Sequence, residues 1–315
     1  MSNNNDLKRE TSEMENKFVK DWNEYSRSWE QQFGDKYTYL GDEWNDDATQ
    51  ERTRDEFYFA TFADRFLRPK MTALEIGPGG GKWSVRLAPR VKKLIVLDVA
   101  QAMLDRTQAR LREANLHNGE FVLGNCKDFR PIPDACVNFI FSYDVFVHLP
   151  LEETFAYIQE MNRVLKGGGM GVIHHAINST TQACSRIEKN IDWYRSGNHT
   201  LGQFYYYSPE SLRAMYEHCG VTLVEQFIQG WNCTCIFTKA RASPLPRLEQ
   251  LLAQLLSAEA APREARAPMI QALQNLPDEL EKVLQPSIDQ LIDADDPGTR
   301  ATIVETIRGL WRGFE

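Results

Sequence analysis

Residues 73–98 constrain this chain more than any other stretch. They read Ala73-Leu-Glu-Ile-Gly-Pro-Gly-Gly-Gly-Lys-Trp83, then a basic helical segment, then Leu94-Ile-Val-Leu-Asp98. A short apolar run ends in an acid and a glycine loop, and a second apolar run ends in another acid. This pattern predicts a strand, a tight ligand-cradling turn, a helix, and a second strand whose terminal carboxylate reaches back over the same ligand. Gly77, Gly79 and Gly81 lack a Cβ, so positive φ and close approach of backbone to a ligand cost little there. Pro78 stiffens one step of the turn. The helix that follows aims its free N–H groups into the same space.

Two common phosphate-binding loops are excluded. In a dinucleotide fingerprint the third glycine would fall on Lys82, and no G-x-x-x-x-G-K-[ST] run is present. The pattern that fits is E-x-G-x-G-x-G, with Glu75 two residues before the first glycine. A carboxylate at that point repels a pyrophosphate and suits a ligand carrying an ammonium and a sulfonium. Asp98 stands at about the ~20-residue spacing at which an acid takes a ribose diol.

With these residues the chain resembles the class I S-adenosylmethionine-dependent methyltransferases, and the resemblance continues through residues 70–175. Gly124-Asn-Cys-Lys-Asp-Phe129 is similar to the adenine-contacting segment after the third strand. Pro133-Asp134 and Val137-Asn-Phe-Ile-Phe-Ser-Tyr-Asp-Val-Phe-Val-His-Leu149 resemble the fourth strand and its exit. Met161-Asn-Arg-Val-Leu-Lys-Gly-Gly-Gly169 is similar to the helix and glycine turn that feed the fifth strand. The resemblance implies S-adenosylmethionine as cofactor. It implies that Glu75 and the loop Gly77, Pro78, Gly79 and Gly81 hold the amino-acid end, and that Asp98 takes the ribose. It also implies that Val99 and Met103 flank the adenine, that Asn125, Cys126 and Asp128 meet its edge, and that Tyr143 borders the site. One departure is that the family usually has an acid where Asn125 stands; Asn can still accept a hydrogen bond from an adenine amino group.

Periodicity places strands at 72–76, 94–98, 119–123, 137–142 and 170–175, with helices at about 81–89, 101–115 and 151–165 among them. A helix at 209–219 and strand-like runs at 221–228 and 231–238 complete a seven-stranded pattern if the resemblance holds. The expected fold is α/β: a Rossmann-like, doubly wound, mostly parallel sheet with helices on both faces. Residues 1–16 are polar and expected to be disordered. Residues 17–69 carry aromatics at helical spacing, Phe18, Trp22, Tyr25 and Trp29, then Phe57, Phe59, Phe62 and Phe66, and form an N-terminal helical cover. The methyltransferase domain spans 70–240, with 176–208 as a lid or substrate insert rich in Trp193, Tyr194, Phe204, Tyr205, Tyr206 and Tyr207. Residues 241–315 form a helical appendage with apolar stripes over Leu248–Leu256 and Ile303–Trp311. Such faces must dock on the catalytic domain or on a second copy, so a homodimer through these helices is one expectation.

Composition narrows the partners. The net charge is −8, and no basic face marks a nucleic-acid binder. No run of 18 apolar residues is long enough to span a membrane. The N-terminus, Met-Ser-Asn-Asn-Asn-Asp, lacks the apolar stretch of a signal peptide. The six cysteines show no metal-ligand spacing and read as reduced thiols, so a cytoplasmic protein is expected.

A neutral alcohol is a poor nucleophile and must lose a proton, so an O-acceptor calls for a base. His148, at the exit of the fourth strand, is the first candidate. His174 and His175 are the next, and adjacent strand residues face opposite ways, so at most one of them meets the pocket. Asp144 completes the catalytic set. A metal-assisted route through Asp144 and the histidines stays open, although no metal site is assigned. The acceptor expected is a hydroxyl of a small molecule or glycan, from the likeness of Asp144–His148 and Gly171–His175 to sugar O-methyltransferases. A small-molecule amine is the alternative, and a non-catalytic scaffold that uses the helical tail is the alternative of another class.

Overall fold

The computed structural model describes residues 4–44, 48–196, 203–241, 278–293 and 296–312. Two compact units emerge, Met1–Arg241 and Ala242–Glu315.

The first unit is built on β1 (Thr72–Ile76), β2 (Lys93–Asp98), β3 (Gly119–Leu123), β4 (Val137–Ser142), β5 (Leu165–Ile177), β6 (Tyr206–Tyr207), β7 (Thr222–Gln229) and β8 (Asn232–Thr238). Their order across the sheet is β3-β2-β1-β4-β5-β8-β7, with β6 paired to β5 off that path. The strands β1 to β5 run parallel, and β8 is antiparallel to both β5 and β7. The two-residue β6 makes this an eight-stranded sheet, one strand more than the sequence pattern. Between the strands run α3 (Ser84–Leu87), α4 (Gln101–Glu113), α5 (Leu151–Val164) and α8 (Pro209–His218). The inner strands are buried on both faces, which is why β1 and β2 read as continuous apolar runs. Leu74 and Ile76 join the layer beneath α5 and α8, while Ala73 joins the layer with Trp83 and Leu87. This is the strand alternation at work.

The N-terminal cover is two helices, α1 (Asn4–Phe33) and α2 (Ala48–Phe62). The first starts at Asn4, so the polar stretch assigned to disorder is helical over residues 4–16. Leu7, Lys8, Arg9, Glu10 and Met14 are all good helix formers, and no Gly or Pro interrupts them. Trp29 packs with Leu40, Ala100 and Met103, which seats α1 on α4. Asn23 locks that contact: its Oδ1 accepts the Ala102 N–H at 3.1 Å, satisfying a donor at an α4 N-terminus that has no side-chain cap of its own. In α2, Phe59 and Phe62 are buried, but Phe57 is exposed, so it does not belong to the apolar set the spacing assigned it to.

Two more segments differ from the sequence reading. Strand β5 begins at Leu165 and runs through Gly167–Gly169, because pairing with β4 resumes across a register shift in place of a free glycine turn. The insert, to which the sequence assigned no elements, holds α6 (Thr181–Lys189), capped by Thr180, and α7 (Ile191–Arg195).

The second unit is described over α9 (Asp278–Asp293) and α10 (Pro297–Arg312), which pack on each other. Leu284, Leu291, Ile303, Val304 and Ile307 are buried. Asp296 caps α10 by accepting the Thr299 N–H at 2.7 Å. The stripe at Leu248–Leu256 and the Trp311 side chain lie outside the described residues, and the two-copy contact remains a proposal.

Since the whole sheet lies within the first unit, a chain ended after Arg241 should unfold in one cooperative transition followed by circular dichroism. A broad, non-cooperative melt would show that the sheet needs the tail.

Candidate functional site

The chain leaves β1 through three left-handed glycines, Gly77 (φ 67°), Gly79 (φ 56°) and Gly81 (φ 80°). A Cβ added at Gly79 would meet nothing within 4 Å, so the peptide there faces open space. That space is a cavity of about 710 Å³ at the carboxyl ends of the parallel strands, where open α/β sheets place their ligands. Its size suits a nucleoside-sized ligand with a small co-reactant.

At one end, Gly77, Pro78, Gly79 and Gly80 form the rim, and Asp98, Val99, Met103 and Cys126 form the wall. Asp98 sits at the end of β2, with Oδ1 accepting the Ala100 N–H at 2.9 Å. Burial pushes its carboxyl up to about 7, against the lowering effect of the Ala100, Val99 and Gly79 N–H groups. Glu75 is buried one layer behind the rim. Its Oε2 accepts the Ser84 hydroxyl at 2.5 Å, and its Oε1 is buried with no hydrogen-bond partner. Burial pushes this carboxyl up to about 8, Asp98 adds repulsion, and the Ser84 bond opposes them. An orphaned buried carboxyl oxygen and a second acid in the cavity both call for positive charge or hydroxyl donors from a ligand. That is what an S-adenosyl group with an amino-acid tail brings, so the residues present fit it.

The cover closes over this end. Trp22 and Tyr25 of α1 line the cavity. Arg106 of α4 donates to Ser26 and to Glu30, at 2.7 Å to each side chain. On the other side, Asp55 of α2 pairs with Lys82 at 2.6 Å, holding α2 against the loop.

The far end is built from the exits of β4 and β5. Asp144 adopts φ 58°, which turns its carboxyl toward His174, with Oδ1 2.8 Å from Nδ1. Burial raises the Asp144 carboxyl, but the charge and hydrogen bonding of His174 outweigh it and leave Asp144 below the usual carboxylate range. His174 Nε2 lies 2.8 Å from Asn232 Oδ1, and its ring stacks under Tyr143 at 4.7 Å. His148 lines the cavity, with Nδ1 2.9 Å from the Gln203 carbonyl oxygen. A carbonyl only accepts, so Nδ1 carries the proton and Nε2 keeps a lone pair. Burial holds this imidazole below the ordinary histidine range, with the Gln203 bond and Asp144 pulling the other way. A neutral imidazole with a free Nε2 is a competent proton acceptor at neutral pH.

The structure sorts the sequence candidates. Gly77, Pro78, Gly79, Asp98, Val99, Met103, Cys126, Tyr143, Asp144 and His148 all line the cavity. Glu75, Gly81, Asn125, Asp128, His174 and His175 do not. Glu75 lies behind the loop, and Gly81 has turned into α3 against Thr107. Asn125 is spent on its own turn, its Oδ1 accepting the Lys127 and Asp128 N–H groups at 2.9 Å each. Asp128 is held by Arg130. His174 is one layer back, so its part is to position Asp144 and Tyr143. His175 faces the opposite layer, 3.0 Å from the Tyr216 hydroxyl, and burial drives its imidazole down to about 3. It is a core residue and not a base. Of the insert's aromatics among the described residues, Phe204 alone reaches the cavity; Tyr207 is buried against Leu149, and Tyr194 is exposed. Arg186, Trp231 and Asn232 line it without any motif to announce them. Among the described residues, no group of three or more His, Cys, Asp or Glu is placed to hold a metal ion.

Residues 73–169 match a family model described as a methyltransferase domain. The biotin biosynthesis bifunctional protein BioHC of Cellvibrio japonicus is 28% identical over 187 residues, covering 58% of this chain and 32% of that one. The chain thus spans about a third of the length of that curated relative. Among solved structures, the PH0226 protein of Pyrococcus horikoshii OT3 superposes with a TM-score of 0.52 at 13% identity, over 67% of this chain and 98% of the other, and shares the fold. Magnesium protoporphyrin IX methyltransferase from Synechocystis PCC 6803 is also similar, with a TM-score of 0.48 at 16% identity, over 61% and 84% of the two chains.

The two raised carboxyls make ligand binding pH-dependent. Binding a cationic, diol-bearing ligand favours their ionised forms, so protons are released and affinity rises with pH. Calorimetry should show S-adenosylmethionine binding tighten by several-fold, up to about tenfold, between pH 6 and 7.5. Asp98→Asn should flatten that slope and weaken binding by roughly 1.5–3 kcal/mol. A flat profile in the unaltered protein would mean that both acids are already ionised without ligand.

Proposed function

We propose that this chain, which carries a class I S-adenosylmethionine-dependent methyltransferase domain, transfers the methyl group to a hydroxyl of a small molecule or of a glycan. Bound, S-adenosylmethionine supplies a methyl group on a strongly electrophilic sulfonium. The glycine rim and Asp98 hold and orient that donor, Glu75 adds negative charge from behind the rim, and α1 and α2 exclude water. Orientation of this kind carries much of the rate in methyl transfer.

The observation that carries the choice of a hydroxyl is His148. An amine acceptor is a nucleophile once neutral, whereas an alcohol needs its proton taken as it reacts. His148 offers a neutral imidazole, fixed in one tautomer by Gln203, with Nε2 left free at the cavity. Trp22 of the cover, 5.8 Å away between ring centroids, and Phe204, 5.0 Å away, hold the ring in place. Asp144 stands near enough to favour the imidazolium that proton uptake creates.

His148→Ala should lower kcat by about a hundredfold or more, with cofactor affinity retained. In the unaltered enzyme saturated with S-adenosylmethionine, kcat/KM for the acceptor should stay level through neutral pH and fall only below the ordinary histidine pKa of about 6.5, since the base must be neutral to act. His175→Phe should leave turnover near native. Near-native turnover in His148→Ala would favour an amine acceptor instead.

A further inference from the structure

One cation in the cavity has no counter-ion among the described residues. Arg186 projects from α6 onto the wall it shares with His148, Phe204 and Trp231. Its guanidinium carbon lies 4.6 Å from the Phe204 ring centroid and 4.1 Å from that of Trp231. Among the described residues it forms no ion pair and no hydrogen bond, and its Nε is buried without a partner. The other basic side chains of the cavity are accounted for: Lys82 pairs with Asp55, and Arg54 has partners of its own.

A guanidinium used only to pack two rings would still satisfy its edge donors on a carbonyl or carboxylate, because unmet donors away from water are costly. Here the two rings, set edge to face at 83° to each other, offer only a cation–π contact to the charge, and its N–H groups stay unspent. Those donors form a fork that matches the two oxygens of a carboxylate or phosphate. The position is also informative. After burial, the charge of Arg186 is among the influences that hold the His148 imidazole down. Cation and base therefore share one end of the cavity, opposite the acids of the cofactor end.

We infer that the methyl acceptor is an anion, and that Arg186 binds its carboxylate or phosphate so that the reacting hydroxyl meets His148. This rests on reading that end of the cavity as the acceptor site. Neutral sugars and simple alcohols are then poor acceptors, while hydroxy acids, acidic sugars and phosphorylated alcohols are good ones.

The test separates the two readings. S-adenosylhomocysteine is titrated first, alone, by calorimetry. Failure to bind would sink the donor reading, and the anion titration on the protein alone would still decide this one. The saturated protein is then titrated with benzoate, phenyl phosphate and the neutral benzamide. At least one anion should bind tenfold or more tighter than benzamide, and which one does so assigns carboxylate or phosphate. Arg186→Met keeps an apolar stem against the rings and should erase the preference while leaving S-adenosylhomocysteine affinity within twofold. Arg186→Lys should restore part of it. Equal binding of the three probes, binding of none, or a preference that survives Arg186→Met would overturn the inference. Loss of S-adenosylhomocysteine binding in Arg186→Met would also overturn it, by placing Arg186 at the donor.

Discussion

The turn from β1 into α3 is packed from two sides, and the rest of the site depends on that packing. A Cβ at Gly77 would lie 2.3 Å from a Val145 methyl group, and one at Gly80 would lie 2.0 Å from the Leu40 carbonyl oxygen. Glycine is therefore a steric requirement at both positions, and at Gly77, with φ 67°, a conformational one as well. The first contact ties the loop to the exit of β4, where Asp144 and His148 sit. The second ties it to the segment after α1, so the cover closes directly on backbone. Such a tight turn leaves no room for water around Glu75, which is why its carboxyl is driven so far up. The loop thus sets the shape of the cavity floor and its charge state together.

The sequence was most legible where function is written into backbone. Three glycines, the two acids that end β1 and β2, and the order of strands all follow from steric and topological rules, so they could be read without coordinates. Asp98, Val99, Met103 and Cys126 reach the cavity because a doubly wound sheet sends those loops to one edge. The reading failed where side chains compete for local partners. Asn125 had two backbone N–H groups within reach and took them, in an Asx turn that its spacing to Asp128 could have suggested. For His174 and His175, alternation showed that one must face away, but only the packing of α8 decides which, through the Tyr216 hydroxyl. Even the inward-facing one is roofed by Tyr143.

Arg186 was invisible for a different reason. It lies in a polar helix of an insert that carries no motif, and its partners come from Phe204 and Trp231, far along the chain in two other loops. Local pattern identifies what the backbone needs, whereas an acceptor site is assembled by loops whose sequences answer to the ligand. That division explains why the donor end was recoverable and the acceptor end was not.

The electrostatics of the acceptor end link its two functions. Burial is the main influence that lowers the His148 pKa; Arg186 and His174 add to it, while Asp144 and the Gln203 carbonyl oppose it. Without acceptor, burial keeps the His148 pKa down and the half-buried charge of Arg186 adds a smaller push in the same direction, so the imidazole is ready to receive a proton. An oxyanion seated on Arg186 cancels that repulsion, so His148 becomes a stronger base once an acidic acceptor is in place. A neutral acceptor would exclude water but leave the repulsion, and would meet a weaker base. On the proposed reading, the contact that selects the acceptor also tunes the group that activates it, and discrimination is expected in kcat as well as in binding, as it is whenever an interaction matters more during reaction than before it.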